Sequence, residues 1–316
     1  MPPEAEFYDF IILGGGPAGL TAGLYATRAV LKTVLVERAT PGGQLAVTKG
    51  VENYPGFEEI SGLDLSDKLL HHAQSYGLEV VRDEAVSIEP GNHLHTVHFE
   101  SGRVLKGYAV LVATGGTPRK LGIPGEVDYL GRGVSYCAKC DGYFFKDRVV
   151  AVIGGGDTAL EEGLYLTKLA SKVYIIHRRD SFRAGKLLQK RVMESNIEVL
   201  LDTVLTKISA DDADESVYSI SVKNSRTNEE RVIPAEGVFI FIGLNPNNVV
   251  IPPGIKLDPS GYAITNEKCE TNIPGIYIAG DLKQKYAKQI IVAAAEGCVA
   301  ALAAATYIDE IKDERR

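Results

Sequence analysis

The chain has 316 residues, of which 45% are hydrophobic and 24% charged, a composition typical of a globular protein with about two domains. Its formal net charge of -7 gives no electrostatic reason to expect a nucleic acid or an anionic membrane as a partner. The four cysteines are too few for a disulfide scaffold, and MPPEAEFYDF lacks the features of a signal peptide, so we expect a cytoplasmic protein.

The first predicted element is an apolar strand that leads into a glycine cluster and then a helix, in FIILGGGPAGLTAGLYATRA. Gly14 permits a tight turn, Gly16 lets the backbone approach a pyrophosphate, and Gly19 lets helix and strand pack closely. The N–H groups at the helix N-terminus would face the phosphates. The next strand, TVLVER, ends near Glu37, whose carboxylate can accept hydrogen bonds from ribose and repels a 2′-phosphate. This unit predicts a site for the adenosine of FAD or NAD.

The same pattern returns in the second half of the chain, in VAVIGGGDTALEEGLYLTKL. Gly154, Gly156 and Ala159 repeat the three glycine positions at a constant offset. A single glycine cluster is weak evidence, but two copies, each between an apolar strand and a helix, indicate a duplicated βαβ unit. The chain therefore has two predicted dinucleotide sites.

The two copies differ at the end of the second strand, where nucleotide choice is made. His177 occupies the position equivalent to Glu37, and HRRDSFR continues with Arg178, Arg179 and Arg183. Arginine forks match phosphate geometry, so this copy should prefer NADPH to NADH. The alternative for this segment is a solvated, charged turn.

Two turn-rich passages suggest where the chain crosses between domains. LVATGG is followed by TPRKLGIPG, and FIGLNPNN lies near residue 245. We predict an α/β fold of two Rossmann-like dinucleotide-binding domains, with the second inserted into the first. The first comprises 1–117 and 247–316, and the second comprises 118–246. The Ala-rich segment IIVAAAEGCVAALAAATYI, interrupted by Glu296, predicts a buried helix rather than a membrane span.

Between the two glycine clusters lies SYCAKCDG, which holds Cys137 and Cys140. The pair alone is compatible with half a zinc site, a structural disulfide, inert thiols or a thiol-disulfide exchange site. Zinc needs about four N or S ligands. The other cysteines, Cys269 and Cys298, are single. No metal site is predicted.

Several motifs, in order along nearly the whole chain, resemble low-molecular-weight thioredoxin reductases: GGGPAGL, PGGQLAVTKGVENYPGF, VATGGTPR, CAKCDG, GGGDTALEE, HRRDSFRA and IAGD. The resemblance implies a homodimer that passes hydride from NADPH to FAD, then electrons to a cysteine pair, then to thioredoxin. The residues implied for FAD are Gly14, Gly16, Gly19, Glu37, Gly43, Gln44, Asn53, Ala113, Thr114, Gly280, Asp281 and Gln289. The residues implied for NADPH are Gly154, Gly156, His177, Arg178, Arg179 and Arg183.

The resemblance also assigns roles at the cysteine pair. It implies that Cys140 faces the flavin and that Cys137 attacks the thioredoxin disulfide. It implies that Asp141 is the general acid/base, although Asp-Gly is also a common turn pair. The exchange interpretation is favoured because the two dinucleotide units supply an electron donor and a flavin for such a relay.

Two residues depart from the family pattern. Lys139 lies between the cysteines where a small or neutral side chain is expected, and Lys288 replaces an arginine before Gln289. An ammonium close to the cysteines would favour thiolate and lower a cysteine pKa. At position 288 a lysine keeps the charge but loses the guanidinium fork.

The resemblance further implies that the second domain rotates between a flavin-reducing and a disulfide-reducing pose. The crossings near 117–120 and 244–248 are the hinge candidates, because hinges are usually short connecting segments.

Other functions use the same scaffold. A related flavin disulfide reductase could serve another carrier, such as a peroxiredoxin-reducing module. A second alternative takes electrons from ferredoxin, and a third is a thiol oxidase with oxygen as acceptor. A flavin-bound redox sensor without turnover is the alternative from a different class. The intact GGGDTA and HRRDSFR segments argue against ferredoxin as donor.

Overall fold

The computed structural model describes residues 5–48, 50–210 and 216–314. Parallel strands dominate it, as the apolar runs before each glycine cluster predict. The strands are β1 Glu6–Leu13, β2 Thr33–Glu37, β3 Glu79–Arg82, β4 Ala85–Glu89, β5 His95–Phe99, β6 Val104–Val112, β7 Gly116–Pro118, β8 Val134–Ser135, β9 Val149–Gly154, β10 Lys172–Ile176, β11 Glu198–Leu200, β12 Thr203–Ala210, β13 Val217–Asn224, β14 Glu230–Pro234, β15 Gly237–Phe241, β16 Leu244–Pro246 and β17 Ile276–Ile278.

Helices follow most of the buried parallel strands, which is the arrangement of βαβ units. The α-helices are α1 Pro17–Arg28, α2 Gly62–Gln74, α3 Ala138–Asp141, α4 Asp157–Leu166, α5 Lys186–Met193 and α6 Ile290–Glu314. Short 3-10 helices cover Gly43–Val47, Gly142–Phe145 and Gly280–Leu282.

The chain divides into two compact units. The first unit comprises Met1–Thr117 and Asn245–Arg316, and the second unit comprises Pro118–Leu244. The chain passes between them through β7 and β16, which pair with each other. The predicted fold class, two Rossmann-like units in one α/β chain, is confirmed.

The first unit is built on a sheet of order β3-β2-β1-β6-β5-β4, with β17 also paired to β6. Strands β1, β2, β3, β6 and β17 pair in parallel, whereas β4 and β5 are antiparallel. Phe10 and Ile12 enter one apolar cluster and Ile11 enters another, and all three are 0% exposed. Both faces of β1 are therefore covered, and its carboxyl end carries the first glycine turn.

Helix α6 packs against α1 through small residues. A Cβ on Gly297 would lie 2.0 Å from the carbonyl oxygen of Ala18, so the two helices approach closely. The predicted buried helix is confirmed on this face only, because Ile291, Val299 and Leu302 are exposed. By length and composition alone, α6 is long and apolar enough to cross a membrane. Its small buried face is that of a helix packed on a protein core.

The second unit contains a parallel sheet of order β11-β10-β9-β15-β8. Beside it, β12, β13 and β14 form an antiparallel sheet. The hairpin predicted in DDADESVYSISVKNSRTNEERVI is β13 and β14, and residues 211–215 of that segment lie outside the described residues. The second glycine turn follows β9 as the first follows β1.

Candidate active site

The first glycine turn has the geometry of a pyrophosphate cradle. Gly14 adopts φ +109°, and a Cβ there would lie 2.4 Å from the carbonyl oxygen of Ala113. A Cβ on Gly19 would lie 1.9 Å from the Gly14 carbonyl oxygen, so strand and helix leave no room for a side chain. A Cβ on Gly16 would meet no atom of the described residues within 4 Å, and α1 begins at the next residue with no side-chain cap among them. The open N-terminus of α1 therefore fits a dinucleotide phosphate.

Glu37, the last residue of β2, is held in place by the backbone. Its Oε2 accepts a hydrogen bond from the N–H of Gly15 at 2.7 Å, and its Oε1 accepts one from Ala39 at 3.0 Å. Each carboxylate oxygen has a further lone pair. The carboxylate can therefore still accept from ribose hydroxyls beside the glycine turn.

Two other residues implied for FAD lie close to this turn. Gly43 lies against Gly16, since a Cβ on Gly43 would be 3.6 Å from the Gly16 Cα. Gln44 donates from Nε2 to the carbonyl oxygen of Gly116. The sequence implied the functional residues here but not this backbone partner.

Asn53 and Gln289 are brought together although they are far apart in the chain. Asn53 Nδ2 donates to Gln289 Oε1 at 3.2 Å. Thr114 forms a reciprocal pair with Asn247: its Oγ1 donates to the Asn247 carbonyl at 2.7 Å, and Asn247 Nδ2 donates to the Thr114 carbonyl at 2.8 Å. Sequence reasoning missed Asn247, whose only signal was its place in the turn-rich FIGLNPNN.

Asp281 lies at the edge of a buried charge network that sequence reasoning missed. Its Oδ1 is 3.3 Å from Lys285 Nζ but accepts no aligned hydrogen bond from the described residues. Lys285 Nζ lies 2.9 Å from Glu296 Oε2, and that oxygen also accepts the Gly280 N–H at 2.9 Å. The side chains of Lys285 and Glu296 are only 7% and 13% exposed. A glutamate in an Ala-rich helix was the available signal for this partner.

Lys288, the departure from the family pattern, lies beside this network. Its Nζ is 3.5 Å from the ring centre of Tyr262, a cation–π distance. Burial lowers the pKa of Lys288 to about 8, an effect opposed by the nearby Asp281 carboxylate. An arginine would stay charged at this position, whereas this lysine can lose its proton in mildly alkaline solution.

The second glycine turn reproduces the first with one change. Gly154 has φ +154°, and a Cβ there would lie 2.4 Å from the carbonyl oxygen of Phe241. A Cβ on Gly156 would again have no neighbour within 4 Å in the described part of the chain. Ala159 is fully buried in the place that Gly19 holds in the first turn. The open N-terminus of α4 therefore also fits a phosphate.

His177 is buried behind the second turn. Its Nε2 lies 3.1 Å from the Ser181 carbonyl oxygen, which can only accept, so Nε2 carries the proton. A Cβ on Gly155 would come within 2.3 Å of Nδ1. Burial lowers the pKa of His177, and the neighbouring arginines act in the same direction. The neutral ring therefore holds the loop that carries the arginines.

The three arginines implied for NADPH are exposed. Within the described residues, no ion pair joins Arg178, Arg179 or Arg183 to a carboxylate. Asp180, the acid in the same segment, is paired with Arg226 at 2.9 Å. The segment thus presents three cations whose guanidinium groups remain available to a phosphate.

Cys137 and Cys140 form a disulfide. They enclose the first turn of α3, and Cys137 Sγ accepts the N–H of Cys140 at 3.2 Å. Cys269 and Cys298 are free. In the described part of the chain, no group of three or more His, Cys, Asp or Glu side chains could hold a metal ion. The arrangement matches an exchange site.

Asp141 is connected to this disulfide through Ser135, which sequence reasoning missed. Ser135 Oγ donates to Asp141 Oδ2 and accepts the backbone N–H of Cys137 at 3.0 Å. Burial raises the pKa of Asp141, and the hydrogen bond from Ser135 partly opposes that rise. A carboxyl with a raised pKa can hold and release a proton closer to neutral pH.

Comparison with known proteins shows consistent similarity. The family model described as pyridine nucleotide-disulphide oxidoreductase matches residues 8–297. A thioredoxin reductase of Listeria innocua is 44% identical over 99% of this chain and 98% of its own length. One of Bacillus subtilis is 41% identical, covering 98% of both chains. The crystal structure of thioredoxin reductase from Streptococcus pyogenes superposes with a TM-score of 0.93 at 38% identity, over 97% of this chain and 100% of that one.

Proposed function

The chain belongs to the pyridine nucleotide-disulphide oxidoreductase family and is a thioredoxin reductase within it, and we propose how its residues carry that reaction. Electrons pass from NADPH to FAD, then to the Cys137–Cys140 disulfide, then to thioredoxin. The observation that carries the proposal is the disulfide in the second unit. The buried Asp141 carboxyl is linked to the Cys137 backbone through two hydrogen bonds of Ser135.

The first unit holds FAD. The open N-terminus of α1 binds its pyrophosphate, Glu37 its adenosine ribose, and Asp281 accepts from the ribityl hydroxyls. Lys285 and Glu296 hold the Gly280–Asp281 segment in position. Bound there, FAD supplies two-electron transfer between a nicotinamide and a disulfide.

The second unit holds NADPH. Its pyrophosphate binds at the N-terminus of α4, and Arg178, Arg179 and Arg183 bind the 2′-phosphate. His177 supports this loop from behind and stays neutral, because its ring is buried and its Nε2 is committed to Ser181. The absence of an acid at the strand end removes the repulsion that a 2′-phosphate would meet there.

At the cysteine pair, the disulfide accepts two electrons and one proton and becomes one thiol and one thiolate. Asp141 supplies and later recovers the proton, and Ser135 keeps its carboxyl next to the Cys137 backbone. The Cys137 thiolate then attacks the thioredoxin disulfide to form a mixed disulfide. Cys140 attacks Cys137 in turn, which releases reduced thioredoxin and restores the internal disulfide.

The protein works as a homodimer in the cytoplasm. Support for dimerisation comes from one face of α6, where Ile291, Val299 and Leu302 are 42%, 37% and 53% exposed and recur at helical spacing. Tyr25 on the neighbouring α1 is also exposed. Such a stripe on a helix that packs its other face on the core suits a second copy of the chain. Light scattering of Leu302→Glu against the parent chain tests this, with a monomer expected for the variant.

Stepwise reduction without oxygen tests the proposed reaction. The purified yellow protein should bleach with NADPH and much less with NADH, and oxidised thioredoxin should restore the colour. Bleaching without recolouring would reject thioredoxin as the acceptor. If neither nucleotide bleached the flavin, the assignment of the arginine segment would be wrong, and ferredoxin would be tested as donor and oxygen as acceptor.

A further inference from the structure

A carboxylate that the reaction does not yet use lies against the cysteine turn. Glu162, on α4, has a side chain that is only 11% exposed, and its Oε1 lies 3.3 Å from Lys139 Nζ. The backbone N–H of Lys139 also donates toward this carboxylate. Glu162 Oε2 accepts no hydrogen bond from the described residues. Lys139, one of the two residues between the cysteines, is therefore paired with a buried acid on the helix that follows the second glycine turn.

The two charges act on the dithiol in opposite directions. An ammonium near a cysteine favours its thiolate, whereas a carboxylate disfavours it. Burial raises the pKa of Glu162, and Lys139 opposes that rise, so the ammonium favours the ionised acid. With both charges present, their effects on a nearby sulfur oppose each other. Without Glu162, the Lys139 ammonium would lower the pKa of a nearby thiol, and the pairing with Glu162 offsets this effect.

We propose that the Lys139–Glu162 ion pair sets the thiolate content of the reduced Cys137–Cys140 dithiol, with Glu162 acting as a positioning residue through Lys139. The inference rests on the proposed function, in which the pair cycles between a disulfide and a thiol with a thiolate. Too little thiolate at Cys137 slows its attack on thioredoxin, because the thiolate is the nucleophile. Too low a thiol pKa weakens its nucleophilicity, so a compensated charge keeps the pair between these limits.

Other titratable groups on α3 and the elements packed against it belong to the same environment. They are Asp141 on α3, Glu161 and Tyr165 on α4, and Tyr143 on the 3-10 helix that follows the cysteines. Glu161 raises the pKa of Glu162 further. Because these groups are unchanged when Lys139 or Glu162 is substituted, differences between such variants report the ion pair.

A double-mutant cycle on the FAD-loaded protein tests the proposal. Glu162→Gln, Lys139→Met and the double variant are reduced with a trialkylphosphine. The pH dependence of iodoacetamide alkylation is then followed separately at Cys137 and Cys140 by peptide mapping. Glu162→Gln should lower the pKa of the more reactive thiol by about 1, roughly a tenfold rise in its thiolate-to-thiol ratio. Lys139→Met should raise it by a similar amount, and the double variant should return close to the parent value.

Two further variants separate charge from structure. Lys139→Arg retains the charge and should keep the parent thiol pKa. Lys172 and Glu198 form another ion pair of the second unit, at 2.7 Å, and Glu198→Gln should leave the thiol pKa unchanged.

An unchanged thiol pKa in Glu162→Gln would overturn the proposal, as would shifts of the same sign in both single variants. Glu162→Gln alone decides the matter if Lys139→Met fails to fold. Because a phosphine delivers the electrons, this result is independent of the reduction by NADPH. Failure of NADPH to bleach the flavin would reject the proposed electron path without altering the alkylation profile.

Discussion

The first and second glycine turns differ little in backbone and greatly in the residues at the end of the following strand. Both begin with a positive-φ glycine against a neighbouring carbonyl and leave a helix N-terminus open. The first is followed by the Glu37 carboxylate, whereas the second is followed by a buried neutral His177 and three exposed arginines. Under the proposed function the comparison separates two tasks: the backbone would serve the pyrophosphate shared by both cofactors, and the strand end would distinguish their riboses.

The largest effect, a loss of FAD affinity, is expected at the third position of the glycine motif, which is Gly19 in the first unit and Ala159 in the second. Gly19→Ala places a Cβ 1.9 Å from the Gly14 carbonyl oxygen, and a backbone clash of this kind costs about 3 kcal/mol. FAD binding should weaken by roughly 100-fold, measured by fluorescence titration of the apoprotein. The reciprocal change, Ala159→Gly, removes a methyl from a site that accommodates it and should cost only about 1 kcal/mol of stability.

Equal tolerance of Gly19→Ala and Ala159→Gly would contradict the close approach in the first turn. Circular dichroism of both variants separates loss of cofactor affinity from loss of fold.

The next effect concerns nucleotide choice in the second unit. Replacing Arg178, Arg179 and Arg183 together by Ala removes the three charge-assisted partners proposed for the 2′-phosphate. The rate constant for flavin reduction at low NADPH should fall by roughly 30- to 100-fold, while that with NADH stays within about threefold. Anaerobic stopped-flow absorbance with each nucleotide measures both.

Arg191→Ala on α5 is the matched control, an exposed arginine outside the segment. An equal loss with NADPH and NADH in the triple variant would show that the arginines support the fold or the pyrophosphate instead.

A smaller effect is expected at the strand end of the first unit. Glu37→Gln keeps the shape of the side chain and one acceptor oxygen. It removes the negative charge of the carboxylate, which accepts hydrogen bonds from the N–H groups of Gly15 and Ala39. We expect FAD affinity to drop about tenfold, since hydrogen bonds to charged groups contribute roughly 1.5–3 kcal/mol and the amide retains part of this. Isothermal titration with FAD measures it, and an unaltered affinity would remove Glu37 from the ribose site.

The smallest effect is a pH dependence of the stability of the first unit. Burial lowers the pKa of His95 from 6.5 to about 4. The unfolded chain therefore binds a proton that the folded chain rejects, and stability is lost as the pH falls from about 6.5 towards 4. Near pH 5.5 the loss should be about 1 kcal/mol relative to pH 7.5. His95→Gln should flatten this part of the stability profile in urea titrations, and a profile as steep as that of the parent would exclude His95 as its source.

The sequence by itself determined the features that depend on local backbone demands. A turn that needs positive φ and a helix that must approach a strand require glycine, so two glycine clusters between apolar strands and helices identify both dinucleotide units. Charged residues that follow a predicted strand can also be located from the sequence alone, and Glu37 and the three arginines were identified in this way. The cysteine spacing likewise permits a disulfide within one helical turn, although the pair alone left four interpretations open.

Only the tertiary structure decided which polar side chains support these sites. Asn247 contacts Thr114, which lies 133 positions earlier in the chain. Glu296 contacts Gly280 and Lys285, and Glu162 pairs with Lys139. A buried polar group must find a partner wherever packing brings one, because leaving it unsatisfied costs free energy. Such partners follow from helix and sheet packing over long separations, which no local pattern of residues records.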